Sequence, residues 1–210
     1  MIFHDRLEAG KKLAEALQKT KRDNPLILAL PRGGVEVAAP VAAAFKVPID
    51  VLFVRKLGAE FNPELGVGAI VEGNPPQTFL NDDLVKVLRV TPEFLETEKK
   101  KQTEVMKEQQ RIFRAGRERP SATGRQVILI DDGIATGATV KAALKGLRNE
   151  KPSKLTLAVP VAPPSTVSDL RKDVDEVICL YEPEDFQAVG QFFRRFPRLT
   201  DELVVKLLQR

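Results

Sequence analysis

Short apolar runs bounded by turn residues alternate along this chain with longer stretches whose apolar positions recur at helical spacing. That alternation predicts an α/β fold, a mainly parallel central sheet flanked by helices. Leu7, Gly10, Ala14 and Leu17 share one face of a first helix. Pro25–Leu30 then reads as a buried strand ending at Pro31-Arg32-Gly33-Gly34. The Ala- and Val-rich stretch behind it reads as a helix that Pro40 should kink or delay, because proline lacks an amide hydrogen and crowds the preceding turn. Ile49–Val54 predicts a second strand and Gly66–Val71 a third, joined by a polar loop, Arg55–Leu65. Thr91–Arg119 is a charged helical stretch opened by Thr91-Pro92, a cap followed by a residue suited to the first turn. Gln126–Asp131 is the fourth strand, and Val140, Ala143, Leu144 and Leu147 mark the helix after it. Leu155–Val161 and Glu176–Tyr181 complete the strands, with a short helix following Pro163-Pro164. The tail, residues 182–210, closes on an amphipathic helix carrying Leu203, Val204, Leu207 and Leu208 on one side. No repeat, low-complexity tract or linker interrupts the 210 residues, so residues 1–210 are expected to form a single domain with the tail as a small hood.

Composition narrows the class. Apolar residues make up 43% and charged residues 30%, the balance of a globular domain and not of a disordered chain. No stretch approaches the roughly 20 apolar residues that span a bilayer, and Met1–Arg6 lacks an apolar signal core. The expectation is a cytoplasmic protein without membrane contact. One cysteine, Cys179, permits no internal disulfide, and one Cys with one His cannot build a four-ligand zinc site. The net charge of +4 is modest, the basic residues are scattered and aromatics are only 6%, so no nucleic-acid partner is expected. Lys99-Lys100-Lys101 reads most simply as a solvated helix face.

The chemistry concentrates at one strand end. Val127-Ile128-Leu129-Ile130 leads straight into Asp131-Asp132, and in a parallel sheet the C-terminal strand ends face the ligand crevice. Gly133-Ile134-Ala135-Thr136-Gly137-Ala138-Thr139 follows, just before a helix. Small residues let backbone N–H groups close around a phosphate, the helix N-terminus adds favourable partial charge, and Thr136 and Thr139 add hydroxyl donors. Acceptors for sugar hydroxyls therefore sit beside donors for a phosphate, a combination suited to ribose 5-phosphate. A strand–turn–helix whose acids only cap the next helix is the plain alternative, and Thr-Gly-x-Thr in the same segment outweighs it. The segments required for a triphosphate P-loop or a Rossmann dinucleotide site are absent.

The segment Val127–Val140 resembles the phosphoribosyl pyrophosphate signature of the type I phosphoribosyltransferases, with Gly133 in a slot more often filled by an aliphatic residue. The resemblance implies that Asp131 and Asp132 bind the ribose 2- and 3-hydroxyls and that Ala135, Thr136, Gly137, Ala138 and Thr139 hold the 5-phosphate. A second anion site would receive pyrophosphate. Arg32, Gly33 and Gly34 resemble the pyrophosphate loop of these enzymes, although an Arg-Gly-Gly turn by itself is usually only a turn. Arg55–Glu64 occupies the place of the family's mobile catalytic loop, a lid that would exclude water. Arg55, Lys56 and Asp132 are the candidate catalytic residues, the first two as stabilisers of departing pyrophosphate. The wording Arg55-Lys56-Leu57-Gly58 and Phe186-Gln187-Ala188-Val189-Gly190 is similar to a bacterial group of phosphoribosyltransferases without an established acceptor.

The implied reaction is displacement of pyrophosphate at the anomeric carbon by a nitrogenous acceptor, with Mg²⁺ carried largely by substrate oxygens and no direct metal ligand assigned. Ala135 stands where 6-oxopurine enzymes commonly have an aspartate, which argues against those bases. Val159–Pro164 would line the acceptor pocket or simply end a strand. Tyr181, Phe186, Phe192 and Phe193 would roof the base or pack a small core. A regulator that binds the donor or a nucleotide without turnover is the competing reading. A homodimer is an admissible assembly.

Overall fold

A computed structural model describes residues 1–209, apart from the side chain of Glu64. Five parallel strands form the central sheet: β1 (Leu26–Ala29), β2 (Ile49–Val51), β6 (Gln126–Ile130), β7 (Lys154–Val161) and β8 (Glu176–Tyr181). Their order is β2-β1-β6-β7-β8, which puts β6 at the centre. Sheets covered on both faces need strands that are apolar throughout, and β1, β6 and β7 are buried almost end to end. Alternate side chains divide between two cores. Ile27, Ala29, Ile128 and Ile130 meet α1 (Arg6–Leu17) and α2 (Gly33–Phe45) on one face. Leu28, Val127, Leu129, Leu155 and Leu157 meet α5 (Ala138–Asn149) on the other.

The second strand departs from expectation. It stops at Val51, and the chain re-emerges at Val54 in a separate three-stranded antiparallel sheet of β3 (Val54–Ala59), β4 (Asn62–Val71) and β5 (Gln77–Leu80). The segment expected as a polar loop, Arg55–Leu65, is thus most of a hairpin, with Lys56 opposite Ala69 and Val54 opposite Val71. Its polarity misled because one hairpin face is solvated: Lys56 is exposed while Leu57 and Val67 are buried. Neither β5 nor the short helix α3 (Asp82–Val87) was expected.

The charged helix α4 (Pro92–Arg114) ends earlier than its charge pattern suggests, at Ala115 in the left-handed conformation. Arg114 is buried there and donates to Asp50, to Glu72 and to the Val51 carbonyl, so its charge belongs to an internal network and not to a solvated helix. Pro40 does not delay α2, which begins at Gly33 and continues past it. After α6 (Pro164–Leu170) and β8, the tail forms a 3₁₀ turn, Val189–Phe192, and α7 (Asp201–Leu208). Phe3, Phe192 and Phe193 pack together as a third small core against Val161. The aromatics therefore serve packing, with Phe192 and Phe193 each 6% exposed.

Helices α1 and α2 cross where Gly10 leaves no room for a side chain: a Cβ there would lie 2.3 Å from the Val37 carbonyl and 3.0 Å from the Pro40 ring. The obstacle is backbone, so relief requires the helices to part. Gly10→Ala is expected to destabilise the protein by about 1–3 kcal/mol in urea unfolding, within the usual cost of overpacking. An unchanged midpoint would show that this contact is soft.

Candidate functional site

Asp131 and Asp132 emerge from the C-terminal end of β6, beside the turn that ends β1. The Asp131 carboxylate accepts from the Asp132 amide at 2.8 Å. Asp132 Oδ2 accepts from Arg6 Nε at 2.7 Å. Arg6 is almost wholly buried, and its guanidinium also donates to the Pro197 carbonyl at 2.9 Å, lies 3.7 Å from the Phe196 ring centroid and approaches Glu36 at 3.7 Å. One side chain from the start of α1 thus links the sugar-binding candidate to the tail. No motif announces Arg6, because its partner lies 126 residues away.

The glycines of Arg32-Gly33-Gly34 prove necessary for close packing, and the Gly34 amide is itself engaged, donating to the Leu30 carbonyl at 3.0 Å. A Cβ on Gly33 would fall 1.9 Å from Asp132 Oδ2, and one on Gly34 would fall 2.6 Å from the Ile130 carbonyl and 3.1 Å from Asp131 Cα. The β1 turn, which includes a cis Pro31–Arg32 peptide, is pressed directly against the acidic pair. Arg32 Nε donates to Asp201 Oδ1 at 2.6 Å, so α7 holds the guanidinium assigned to pyrophosphate.

The segment after the acids is shaped as a cradle. Ile134 is buried and its amide donates to the Val161 carbonyl, while Thr166 Oγ1 donates to the Ala135 carbonyl at 2.8 Å. Ala135, Thr136, Ala138 and Thr139 are left exposed. Gly137 caps α5 in the left-handed conformation, without a side-chain hydrogen bond, and the first intrahelical bond runs from Lys141 N–H to the Gly137 carbonyl. Amides ahead of that bond have no helical partner. By contrast Asp5, Asn81, Thr91 and Thr200 cap α1, α3, α4 and α7 with their side chains. Gly133, the unusual residue of this segment, has a structural reason: a Cβ would meet Val189 of the tail at 2.5 Å and Val161 at 3.1 Å. The tail supplies the aliphatic bulk that the loop lacks.

Two cavities open from this cradle toward the hairpin. One, about 250 Å³, brings Arg32, Arg55 and Thr139 together with Phe53 and Phe113. The other, about 400 Å³, is lined by Arg55, Lys56, Lys101, Gln102 and Thr139. Arg55 Nε donates to Gln102 Oε1 at 3.0 Å, which anchors it on α4. Lys101 borders this second cavity yet stays largely solvent-exposed, 3.8 Å from Glu98 on its own helix, as a solvated helix face should. Val159 and Val161 are fully buried, which leaves them to the strand and not to an acceptor pocket.

Electrostatics follow from placing two carboxyls side by side. Burial, with the neighbouring Asp132 charge, pushes the Asp131 carboxyl well above the usual carboxylate range. Asp132 is also raised by burial, and Arg6 opposes that shift. Among the described residues no cluster of three or more His, Cys, Asp or Glu side chains could hold a metal ion. Two carboxylates suit a hard cation that keeps most of its ligands from substrate oxygens.

Comparison with known proteins gives this arrangement a family. The phosphoribosyl transferase domain matches residues 78–193. The chain belongs to the phosphoribosyl transferase family. A Mycobacterium tuberculosis H37Rv relative named "Putative phosphoribosyl transferase" is 43% identical over 209 residues, covering all of this chain and 47% of that protein. The same holds for its counterpart in strain CDC 1551 / Oshkosh. The chain thus spans about half the length of these curated relatives. The crystal structure of TT1426 from Thermus thermophilus is 41% identical with a TM-score of 0.84, covering 99% of this chain and 98% of that one. A purine phosphoribosyltransferase from Pyrococcus horikoshii, 15% identical with a TM-score of 0.50 over 95% and 97% of the two chains, shares the fold. No helix among the described residues is long and apolar enough to cross a membrane.

The raised Asp131 carboxyl fixes the sign of a stability prediction. Its folded value lies above its unfolded one, so its favourable contribution is present at acid pH and is lost as pH rises through the folded value. Asn keeps the oxygen that accepts from the Asp132 amide and removes the penalised charge. Asp131→Asn is expected to raise the melting temperature at neutral pH, with the gain shrinking toward acid pH. A variant that melts lower at neutral pH would contradict this account of the pair.

Proposed function

We propose that this protein is a phosphoribosyltransferase that takes phosphoribosyl pyrophosphate as donor, with Mg²⁺, and transfers the phosphoribosyl group to a nitrogenous acceptor. The observation that carries the reading is the contact between the acidic pair and the Arg32-Gly33-Gly34 turn, with an uncapped helix on one side and the Arg32–Arg55–Thr139 cavity on the other. Ribose hydroxyls need acceptors, and both ends of the donor need cationic or N–H partners. The acidic pair, the uncapped turn and Arg32 are the groups that meet these needs on this reading.

Each residue then has a task. Asp131 and Asp132 accept from the 2- and 3-hydroxyls and hold the sugar ring. The amides and hydroxyls of Ala135–Thr139 bind the 5-phosphate. Arg32 and the Gly33 amide take the pyrophosphate. Gly34, whose own amide donates to the Leu30 carbonyl, lets the turn close on the acids. Arg55 and Lys56 from the hairpin add positive charge as the pyrophosphate departs. Such preorganised charge acts where negative charge develops. The acceptor nitrogen bonds to the anomeric carbon as the C–O bond to pyrophosphate breaks with its electron pair. Any proton on that nitrogen passes to solvent or pyrophosphate. Asp131 and Asp132 are the residues that would help hold Mg²⁺ beside the donor, and the cation would neutralise charge on the leaving group. The hairpin's position over the cavity gives it the place of a lid that keeps water from the activated sugar.

Pyrophosphate release from donor and Mg²⁺, assayed across a panel of nitrogen heterocycles, tests turnover. Donor binding without release from any acceptor would assign the protein to the non-catalytic sensors of the donor or a nucleotide. Asp131→Asn combined with Asp132→Asn should abolish donor binding, with a retained circular dichroism spectrum showing that the fold persists although Arg6 loses its Asp132 partner. Retained donor affinity in that variant would refute the ribose assignment.

A further inference from the structure

A third cavity, about 380 Å³, lies between the β1 turn and the tail, where its lining includes Arg6, Arg32, Gly33, Phe196, Arg198 and Leu199. It adjoins the sugar-binding candidates directly: Arg6 bonds Asp132, and Gly33 packs on the same carboxylate. Arg32 is shared with the cavity assigned to pyrophosphate, which lies toward the hairpin. A displacement needs its incoming group aligned away from the departing one, so a cavity that adjoins the acidic pair and is separate from the pyrophosphate candidate is open to the second substrate.

Three guanidinium groups line this cavity and no carboxylate does. Arg6 is balanced by Asp132 and Glu36, and Arg32 by Asp201. Arg198 is exposed, and no ion pair or hydrogen bond engages its side chain among the described residues. The Phe196 ring does not offer a free platform for stacking a neutral base. Arg6 lies over it at 3.7 Å, and Phe193 packs on it with centroids 4.9 Å apart and planes 30° from parallel. Recognition here must therefore come from charge. A guanidinium is a planar fork of donors that matches a carboxylate through two parallel hydrogen bonds.

We infer that the acceptor is a nitrogen heterocycle bearing an acidic group, a ring carboxylate above all, received in this cavity by Arg198. Arg6 and Arg32, whose charges are already paired, complete its lining. This rests on the transferase reading of the adjoining site and names the substrate class for it. The transfer step is the one already written, with the acid group as a handle that takes no part in bond exchange.

Matched probes test the inference on the whole chain: orotate against uracil, and nicotinate against nicotinamide. Titration calorimetry in the presence of Mg²⁺ and pyrophosphate reads their affinities, and a parallel titration with phosphoribosyl pyrophosphate reads the donor site. The acid of each pair is expected to bind at least about tenfold more tightly. Arg198→Gln should erase that preference, and Arg198→Lys should retain part of it, as for loss or partial retention of a charged partner. Donor affinity should stay unchanged in both variants. Acids that bind no better than their neutral partners, or a preference that survives Arg198→Gln, would overturn the acidic-acceptor inference while leaving the donor site standing. Loss of donor binding by the wild-type protein would instead remove the transferase reading on which it rests.

Discussion

The ion pair between Arg6 and Asp132 is the contact on which the rest of the site depends. It joins the first helix, the centre of the sheet and the tail through one nearly buried guanidinium. Two acids at the end of a central strand repel each other and lose hydration, a combination that pushes at least one toward its neutral form. Arg6 offsets that tendency at Asp132, and the amide between the two residues offsets it at Asp131. A buried charge deprived of its partner is strongly destabilising, so the fold cannot discard Arg6 without reorganising the site. The pair thus holds ready a carboxylate that a less constrained chain would protonate or turn outward.

Close approach is the second constraint, and it follows from the first. The β1 turn reaches the acids only because Gly33 and Gly34 lack side chains, and the loop after them reaches the tail only because Gly133 does. These contacts bring Asp131 and Asp132, the β1 turn that carries Arg32 and the uncapped start of α5 side by side. Local backbone cost is accepted where the ligand must come close, a usual feature of sites that bind phosphate through main-chain amides.

Much of this was legible in the sequence. Continuous apolar runs in Leu26–Leu30, Val127–Ile130 and Leu155–Val161 showed strands covered on both faces, and their turns located the acidic pair and the Arg-Gly-Gly segment. What was not legible has physical causes. The hairpin Val54–Val71 carries charge on its solvated face, which hides strand alternation behind loop-like polarity. Arg6, Glu36 and Asp201 act through pairings distant in sequence that no local pattern encodes. Gln102 holds Arg55 on α4 through a contact between residues 47 apart, which the charge pattern of that helix does not encode. The role of Gly133 is likewise set from a distance, by Val189 of the tail, which fills the space above it.

The proposed function rests on the pairing of opposite charges around the acidic pair, read as acceptors for a sugar between donors for two phosphate groups. The most direct test is a backbone amide chemical-shift titration with phosphoribosyl pyrophosphate and Mg²⁺. The account predicts saturable shifts that share one binding curve at Gly33, Gly34 and Ala135–Thr139, the two amide-rich turns that flank Asp131 and Asp132. Shifts confined to scattered surface lysines, or saturation of one turn without the other, would contradict it.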